Sequence, residues 1–298
     1  MAGSKELALS EAHKKRRKRY LGASEVPAVL GVSPWKTASD VYYSKTAELE
    51  SRDKVTHAIN SGNLLEVAVL DFAQQEVGKI KRNQFRVSKE RKWAAATLDA
   101  LVVDQPGEGV EAKTTGNSAG WGEEGTDQIP LYYIAQVQWQ MYVAQLHKVW
   151  APCLMPDFAL RFKLYVVERD EELIGSIVER CEDFWVNNVL ACAPPPDSVP
   201  APRTLQRMRR VPAKVAPVPD GLVKDWQDKK NLLKEARAAE RDSRVKMLEQ
   251  LGDAEVGTYS GGVINYFERE RKAYTKRVSA SNYRTLELKE GDEHGSPG

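Results

Sequence analysis

The sequence predicts a mixed α/β (α+β) fold in which a mixed sheet is flanked by helices and followed by a small C-terminal helix and β-hairpin extension. Three observations carry this. Apolar residues recur at helical spacing over 61–78, 129–146 and 169–190. Between these stretches lie short runs at 80–88, 94–103, 109–115, 148–155 and 158–168, rich in β-branched and aromatic residues and punctuated by Gly, Pro and Asn. Helices, then strands, a helix, two strands and a helix is the order of a mixed sheet with helices on its faces. Beyond "ACAPPPDSVPAP" (191–202) the composition turns strongly charged.

Taken in order, residues 1–19 are polar and basic, with "KKRRKR" at 14–19. Ser24 is placed to cap a short helix that Gly31 closes, and Thr37 to cap a second helix running to about Leu49. In 61–78, Leu64, Leu65, Val69, Phe72 and Val77 form the apolar stripe, with Gly78 as the stop. The segment 129–146 reads as a buried, aromatic-rich helix and 169–190 as a closing amphipathic one. Three units follow: 1–194 as the main domain, 195–219 as a stiff Pro-rich and basic linker, and 220–298 as an extension able to bind a partner.

At 298 residues the chain can bury a full core. A net charge of +2 does not by itself announce a polyanionic partner, although the basic blocks at 14–19 and 203–214 can grip phosphates. Three cysteines without CxxC spacing support neither a disulfide framework nor a zinc site. No apolar run reaches membrane-spanning length and the N-terminus lacks a secretory apolar core, so a cytoplasmic protein without membrane association is expected.

The chemistry concentrates in "ATLDALVVDQPGEGVEAKTT" (96–115), two apolar runs around a Pro-Gly turn. Pairing Val103 with Gly109 across a five-residue loop sets Leu101 opposite Glu111 and Asp99 opposite Lys113. Period-2 alternation then brings Asp99, Glu111 and Lys113 to one face. Two neighbouring carboxylates repel, and a hard divalent cation, Mg²⁺ foremost and Mn²⁺ as its substitute, is what would hold them. Lys113 beside it could orient or deprotonate a water for attack on a phosphodiester. The bland alternative is a surface salt bridge from Lys113 to either acid.

Asp99 followed by "EAK" at 111–113 resembles the motif of PD-(D/E)XK nucleases, and its setting resembles the bacteriophage lambda exonuclease and YqaJ-type viral recombinase family. "LGASEVPAVLGVSPWKTASDVYYSK", "GNLLE", "YYIAQVQWQMYV" and "YVVERDEE" follow that family's order over about residues 15–190. The resemblance implies a restriction-endonuclease-like sheet in which Asp99, Glu111 and the Ala112 carbonyl hold Mg²⁺ and Glu66 completes a site for one of two metals. It further implies that Lys113 positions the attacking water, that Gln138, with Gln136, holds the DNA backbone, and that Ser24 and Thr97 contact phosphate. Arg17, with Arg16 and Arg19 as alternatives, would receive the 5′-terminal phosphate. Two glutamines at i and i+2 cannot share a helix face, so one of them is structural.

Leu98 stands where the family motif has proline, and the tail after about residue 200 has no counterpart in the compact lambda-type enzyme. "GWGEEG" (120–125) matches a dinucleotide fingerprint only formally and reads instead as a flexible lip with Trp121 able to stack on DNA. Trp93, Trp139 and Trp150 read as core, whereas Trp35, beside Pro34 in a loop, is a candidate stacking platform for DNA. The function so implied is a Mg²⁺-dependent 5′-to-3′ exonuclease on the ends of linear duplex DNA, releasing 5′-mononucleotides by two-metal hydrolysis. It would leave 3′ strands for phage-type recombination, act as a homo-oligomer (a trimer, by the resemblance) and pair with a single-strand annealing protein in a bacterial host. The alternatives are a RecB-like nuclease of other polarity, whose usual four-cysteine iron–sulfur ligation three scattered cysteines cannot build, and a non-catalytic DNA-binding scaffold.

Overall fold

The computed structural model describes residues 17–50, 57–156, 160–268 and 270. The chain divides into two compact units, Met1–Arg209 and Arg210–Gly298. In the first, β1 (Leu21–Gly22) leads through a 3₁₀ turn (Ala23–Glu25) into α1 (Val26–Val29), α2 (Ala38–Thr46) and α3 (His57–Val77). The strands β2 (Ile80–Val87), β3 (Ala94–Val102), β4 (Glu108–Val110) and β5 (Lys113–Thr114) precede α4 (Leu131–Ala144). After it come β6 (Lys148–Pro156), β7 (Leu160–Glu168), α5 (Glu171–Phe184), which winds on as π-helix to Leu190, and α6 (Pro202–Gln206). The second unit holds α7 (Asp220–Leu251), in which no residue is buried, and the hairpin β8 (Val256–Tyr259) with β9 (Gly262–Asn265).

One mixed sheet of seven strands organises the first unit, as the order of elements predicts. β3 is antiparallel to β2 and β4, β4 runs parallel to β6, and β7 is antiparallel to β6. Residues of α1, α2, α4 and α5 pack into the larger core with Leu98, Val149, Ala151 and Tyr165. Leu70, Ala73 and Val77 of α3 cover the other side, over Ala100, Val102 and Val110. Burying such alternating apolar faces is the main drive to form the layers. Among the described residues, no helix is long and apolar enough to cross a membrane.

Local chemistry accounts for the boundaries. Thr37 caps α2 as expected: its hydroxyl accepts the Asp40 N–H at 3.2 Å while Asp40 accepts the Thr37 N–H at 3.0 Å. The helix stops at Thr46, short of Leu49, because Glu48 and Glu50 pair with the backbone of Arg209 and Arg207. Ser24 is not a cap; the Glu25 carboxylate takes the free Gly22 N–H at 2.9 Å, which leaves Ser24 exposed. The apolar stripe of α3 is shifted from the expected one, since Leu64 is 70% and Leu65 39% exposed while Leu70 and Ala73 are buried. The Pro-rich segment is anchored in its first half: Ser198 bonds Ser39 through backbone and side chain, and Asp40 accepts the Ala201 N–H at 2.8 Å.

The 96–115 hairpin has a five-residue loop, 103–107, but its register differs from the expected one. Leu101 faces Gly109 and Ala100 faces Val110, so each β3 residue meets a partner two positions earlier than predicted. Gly107 makes the turn with φ 91°, and Glu108 enters the strand, pinned by the Trp150 indole at 2.6 Å and by Lys148 at 3.2 Å. A shift of two keeps every side chain on its face, where a shift of one would have reversed them. We expect Gly107→Ala to lose about 1–3 kcal/mol in urea unfolding, because its Cβ would sit 2.6 Å from the His147 ring in a conformation that L residues disfavour.

Candidate active site

Two interruptions of the sheet make the site. Asn83, the residue of β2 level with Asp99, has φ 56°, and the β2–β3 ladder skips this pair. Across that break the even-numbered residues of β3 change sides: Ala94, Ala96 and Leu98 lie in the larger core, Ala100 and Val102 under α3. The second interruption separates β4 from β5. Glu111 N–H bonds the Trp150 carbonyl at 2.9 Å, continuing along β6, whereas Ala112 N–H turns to Asp99 Oδ2 at 2.8 Å. A side-chain carboxylate thereby replaces a ladder carbonyl, and Asp99 is fixed at the point where β3 and β4 part.

Glu111, 5% exposed, is held from three directions. Lys113 Nζ lies 2.6 Å from its Oε1, Gln136 donates to the same oxygen, and Gln140 donates to Oε2 at 2.6 Å. Lys113 also reaches Gln136 Oε1 at 3.2 Å and lies 4.5 Å from the centre of the Tyr133 ring. Burial disfavours the Lys113 charge, but Glu111 and Asp99 outweigh it and hold the amine above the ordinary lysine pKa. Burial, reinforced by Glu111 and Glu66, pushes Asp99 well above the usual carboxylate range despite Lys113. Glu66 on α3 is raised by burial and by Glu111. Three acids and one ammonium thus share one electrostatic neighbourhood. Cys153, paired with Lys113 across β5–β6, is buried and pushed up to about 12, which leaves it inert as a nucleophile.

The donor set is all oxygen and acid-rich, with Lys113 and, on Glu66, Arg82 against three acids, so its chemistry fits a hard divalent cation. Asp99, Glu111 and Glu66 would hold it, with the Ala112 carbonyl. Among the described residues the acids are not gathered as a closed set of ligands; both Glu111 oxygens and one Asp99 oxygen are occupied by the hydrogen bonds above.

The remaining expected residues divide. Gln136 is at the site, but Gln138 is not: it is 2% exposed, donates to the Glu168 carbonyl at 2.8 Å and accepts the Asp170 N–H at 3.1 Å, tying α4 to the start of α5. Helical geometry explains the correction, since i and i+2 point apart while i and i+4 align. Gln140, one turn beyond Gln136, was missed although that spacing signals it; its amide bonds both Glu111 and the Thr97 carbonyl, and its own Oε1 is buried without a partner. Gln138→Leu should therefore lower stability by about 1–3 kcal/mol with little effect on rate, and Gln136→Leu should do the reverse; chemical unfolding and initial rates read the two.

Thr97 is exposed on β3, and Ser24, Arg17 and Arg19 are exposed near the start of the described chain. Arg16 lies outside the described residues. Trp35 is 56% exposed and meets Tyr132 edge-on at 4.9 Å; Tyr132 in turn packs on Tyr133, the ring beside Lys113. Trp121 is not an outward lip. It turns inward against Tyr133 and Tyr165, and its loop is bonded to β7 through Gly125 and Thr126.

Residues 12–147 match the model of the YqaJ-like viral recombinase domain. The chain is 29% identical over 180 residues to the uncharacterized protein YqaJ of Bacillus subtilis (strain 168), covering 58% of this chain and 54% of that protein, so it spans about half the length of this curated relative. Among solved structures it is similar to the alkaline exonuclease LHK-Exo from Laribacter hongkongensis, at 18% identity and a TM-score of 0.47 over 61% of this chain and 93% of that one. It is also similar to a phage-related exonuclease from Haemophilus somnus 129PT, at 15% identity and a TM-score of 0.37 over 62% of this chain and 85% of that one.

Proposed function

We propose, from the match of residues 12–147 to the model of the YqaJ-like viral recombinase domain, a divalent-metal-dependent exonuclease that digests the 5′-ended strand of linear duplex DNA. It releases 5′-mononucleotides and leaves 3′ single strands for annealing. One observation supports this above the others: Glu66, Asp99, Glu111 and Lys113 interact at a break in the sheet, with Gln136 and Gln140 closing over them.

Asp99, Glu111 and Glu66 would hold the cation, Mg²⁺ or in its place Mn²⁺. When bound it supplies Lewis-acid stabilisation of charge on the phosphoryl oxygens. Lys113 orients the attacking water through an N–H, and Gln136 keeps that ammonium aimed by accepting from it at 3.2 Å. Arg17, Arg19, Ser24 and Thr97 contact phosphates, and Trp35, backed by Tyr132, stacks on a base. We expect Trp35→Ala to weaken DNA binding about fivefold to a hundredfold, as loss of one stacked base does, in fluorescence anisotropy at fixed salt.

Recognition through phosphates carries no base sequence and weakens steeply with salt. The protein assembles as a ring-shaped trimer, and its 220–298 extension recruits a single-strand annealing protein; a 32-residue α7 with no buried residue is the feature that supports a docking role. Duplexes labelled at one end test the polarity. Release of a 5′-terminal label as mononucleotide from the outset in Mg²⁺ supports the reading, and immediate release of a 3′-terminal label while the 5′ label stays on long fragments overturns it in favour of a nuclease of opposite polarity. A monomer by light scattering that digests distributively removes the ring.

A further inference from the structure

We propose that Lys45 and Glu25 form a buried positioning clasp that sets a preference for 5′-phosphorylated over 5′-hydroxyl DNA ends; this rests on the reading of Arg17 and Ser24 as the receptor for the DNA end. Lys45, on α2, has its side chain 1% exposed and Glu25 6%. Lys45 Nζ lies 2.5 Å from Glu25 Oε2 and 2.8 Å from the Arg17 carbonyl. The same Glu25 oxygen accepts the Gly22 N–H, and its Oε1 faces the Arg17 guanidinium at 3.8 Å. One ion pair therefore joins residue 17, the turn at 22–25 and α2. A second tie, from Lys18 Nζ to the Ala47 carbonyl at 2.9 Å, runs parallel to it.

A buried ion pair rarely stabilises a fold more than apolar residues of the same volume would, so stability alone is a poor account of this one. Its position suggests another. What the clasp fixes is backbone: the Arg17 carbonyl and the turn that carries Ser24. What it leaves outside is the pair of groups suited to a phosphate, since the Arg17 side chain is 47% exposed and Ser24 is exposed. The frame is dry and the donors are wet, as in a preorganised anion site. Glu25 also faces the Arg17 guanidinium and so helps to set where it points. A terminal monophosphate, with close to two negative charges, is a far stronger ligand for that guanidinium than an uncharged hydroxyl end.

The test compares initial digestion rates on linear duplexes that differ only in a 5′-phosphate or a 5′-hydroxyl, using the full-length protein. The ratio of the two rates is internal to each preparation, so partial loss of folded protein does not move it. Wild type is expected to favour the phosphate, and Arg17→Ala to lose that preference. The double variant Glu25→Gln/Lys45→Met removes both charges at nearly constant volume and is expected to lower the ratio about tenfold, the worth of one charge-assisted hydrogen bond. Lys45→Arg, which keeps the charge, should retain most of it. If the double variant keeps the wild-type ratio while Arg17→Ala has lost it, the clasp is merely structural and the proposal fails. If wild type shows no preference, or Arg17→Ala keeps it, the reading of Arg17 fails and the proposal falls with it. Should the double variant not fold, Glu25→Asp, which shortens the reach to Lys45, carries the same comparison.

Discussion

Replacing Lys113 by alanine lowers Mg²⁺-dependent digestion of linear duplex DNA by about 10²–10⁴-fold, the range associated with losing a positioned proton-transfer or charge-stabilising group. The size of the effect follows from where the ammonium sits. It is 2.6 Å from Glu111 and 3.2 Å from Gln136 Oε1, with Tyr133 against it, and its charge acts on Glu66, Asp99 and Glu111 alike. The fold should tolerate the change. Glu111 retains the Gln136 and Gln140 amides as donors, and β5 keeps its backbone pairing to β6. Initial rates with the 5′-phosphorylated duplex, alongside near-ultraviolet circular dichroism, separate lost chemistry from lost structure. A well-folded variant within tenfold of wild type would remove Lys113 from the reaction.

Glu25→Ala produces the largest expected loss of stability, about 3–5 kcal/mol, because it leaves the Lys45 ammonium buried without its counter-charge. The neutral double variant Glu25→Gln/Lys45→Met, by contrast, should stay within about 1–2 kcal/mol of wild type. The pH dependence carries a sign. Burial disfavours the Glu25 charge, but Lys45 and Arg17 more than offset it and hold its pKa below the ordinary glutamate value. Its contribution is therefore present above the unfolded value of about 4.3 and is lost as pH falls through the lower folded value. Subtracting the Glu25→Gln urea-unfolding curve from that of wild type should show a difference that shrinks only on the acid side. A loss below about 1 kcal/mol for Glu25→Ala would show that Lys45 finds water or another partner.

The hairpin shows how far pattern reading reaches. Loop length and the alternation of apolar residues were enough to assign 96–115 and to bring Asp99, Glu111 and Lys113 near one another. The expected register was wrong by two positions, an error to which the alternation is blind. No periodicity in β2 reveals that Asn83 adopts a left-handed conformation and breaks the ladder at Asp99. Nor does any local signal say that Ala112 N–H turns to the Asp99 side chain. The Q-x-Q pair posed a choice between two opposite faces of α4, and only the neighbours, Glu111 on one side and the Glu168 carbonyl on the other, decide it.

By itself the sequence determined what depends on near neighbours along the chain. This includes the capping box that starts α2, the span of α7, the five-residue hairpin loop and the set of acids and amine that make a metal-assisted phosphodiesterase plausible chemistry. Tertiary structure alone decided which groups meet: Gln140 rather than Gln138 beside Glu111, Tyr133 against Lys113, Trp121 turned inward, and Lys45 reaching back 28 residues to the Arg17 carbonyl. The reason is physical. Helix and strand periods and caps arise from interactions within a few residues, whereas burial and ion pairing are settled by which surfaces pack together, and that packing is a property of the whole chain.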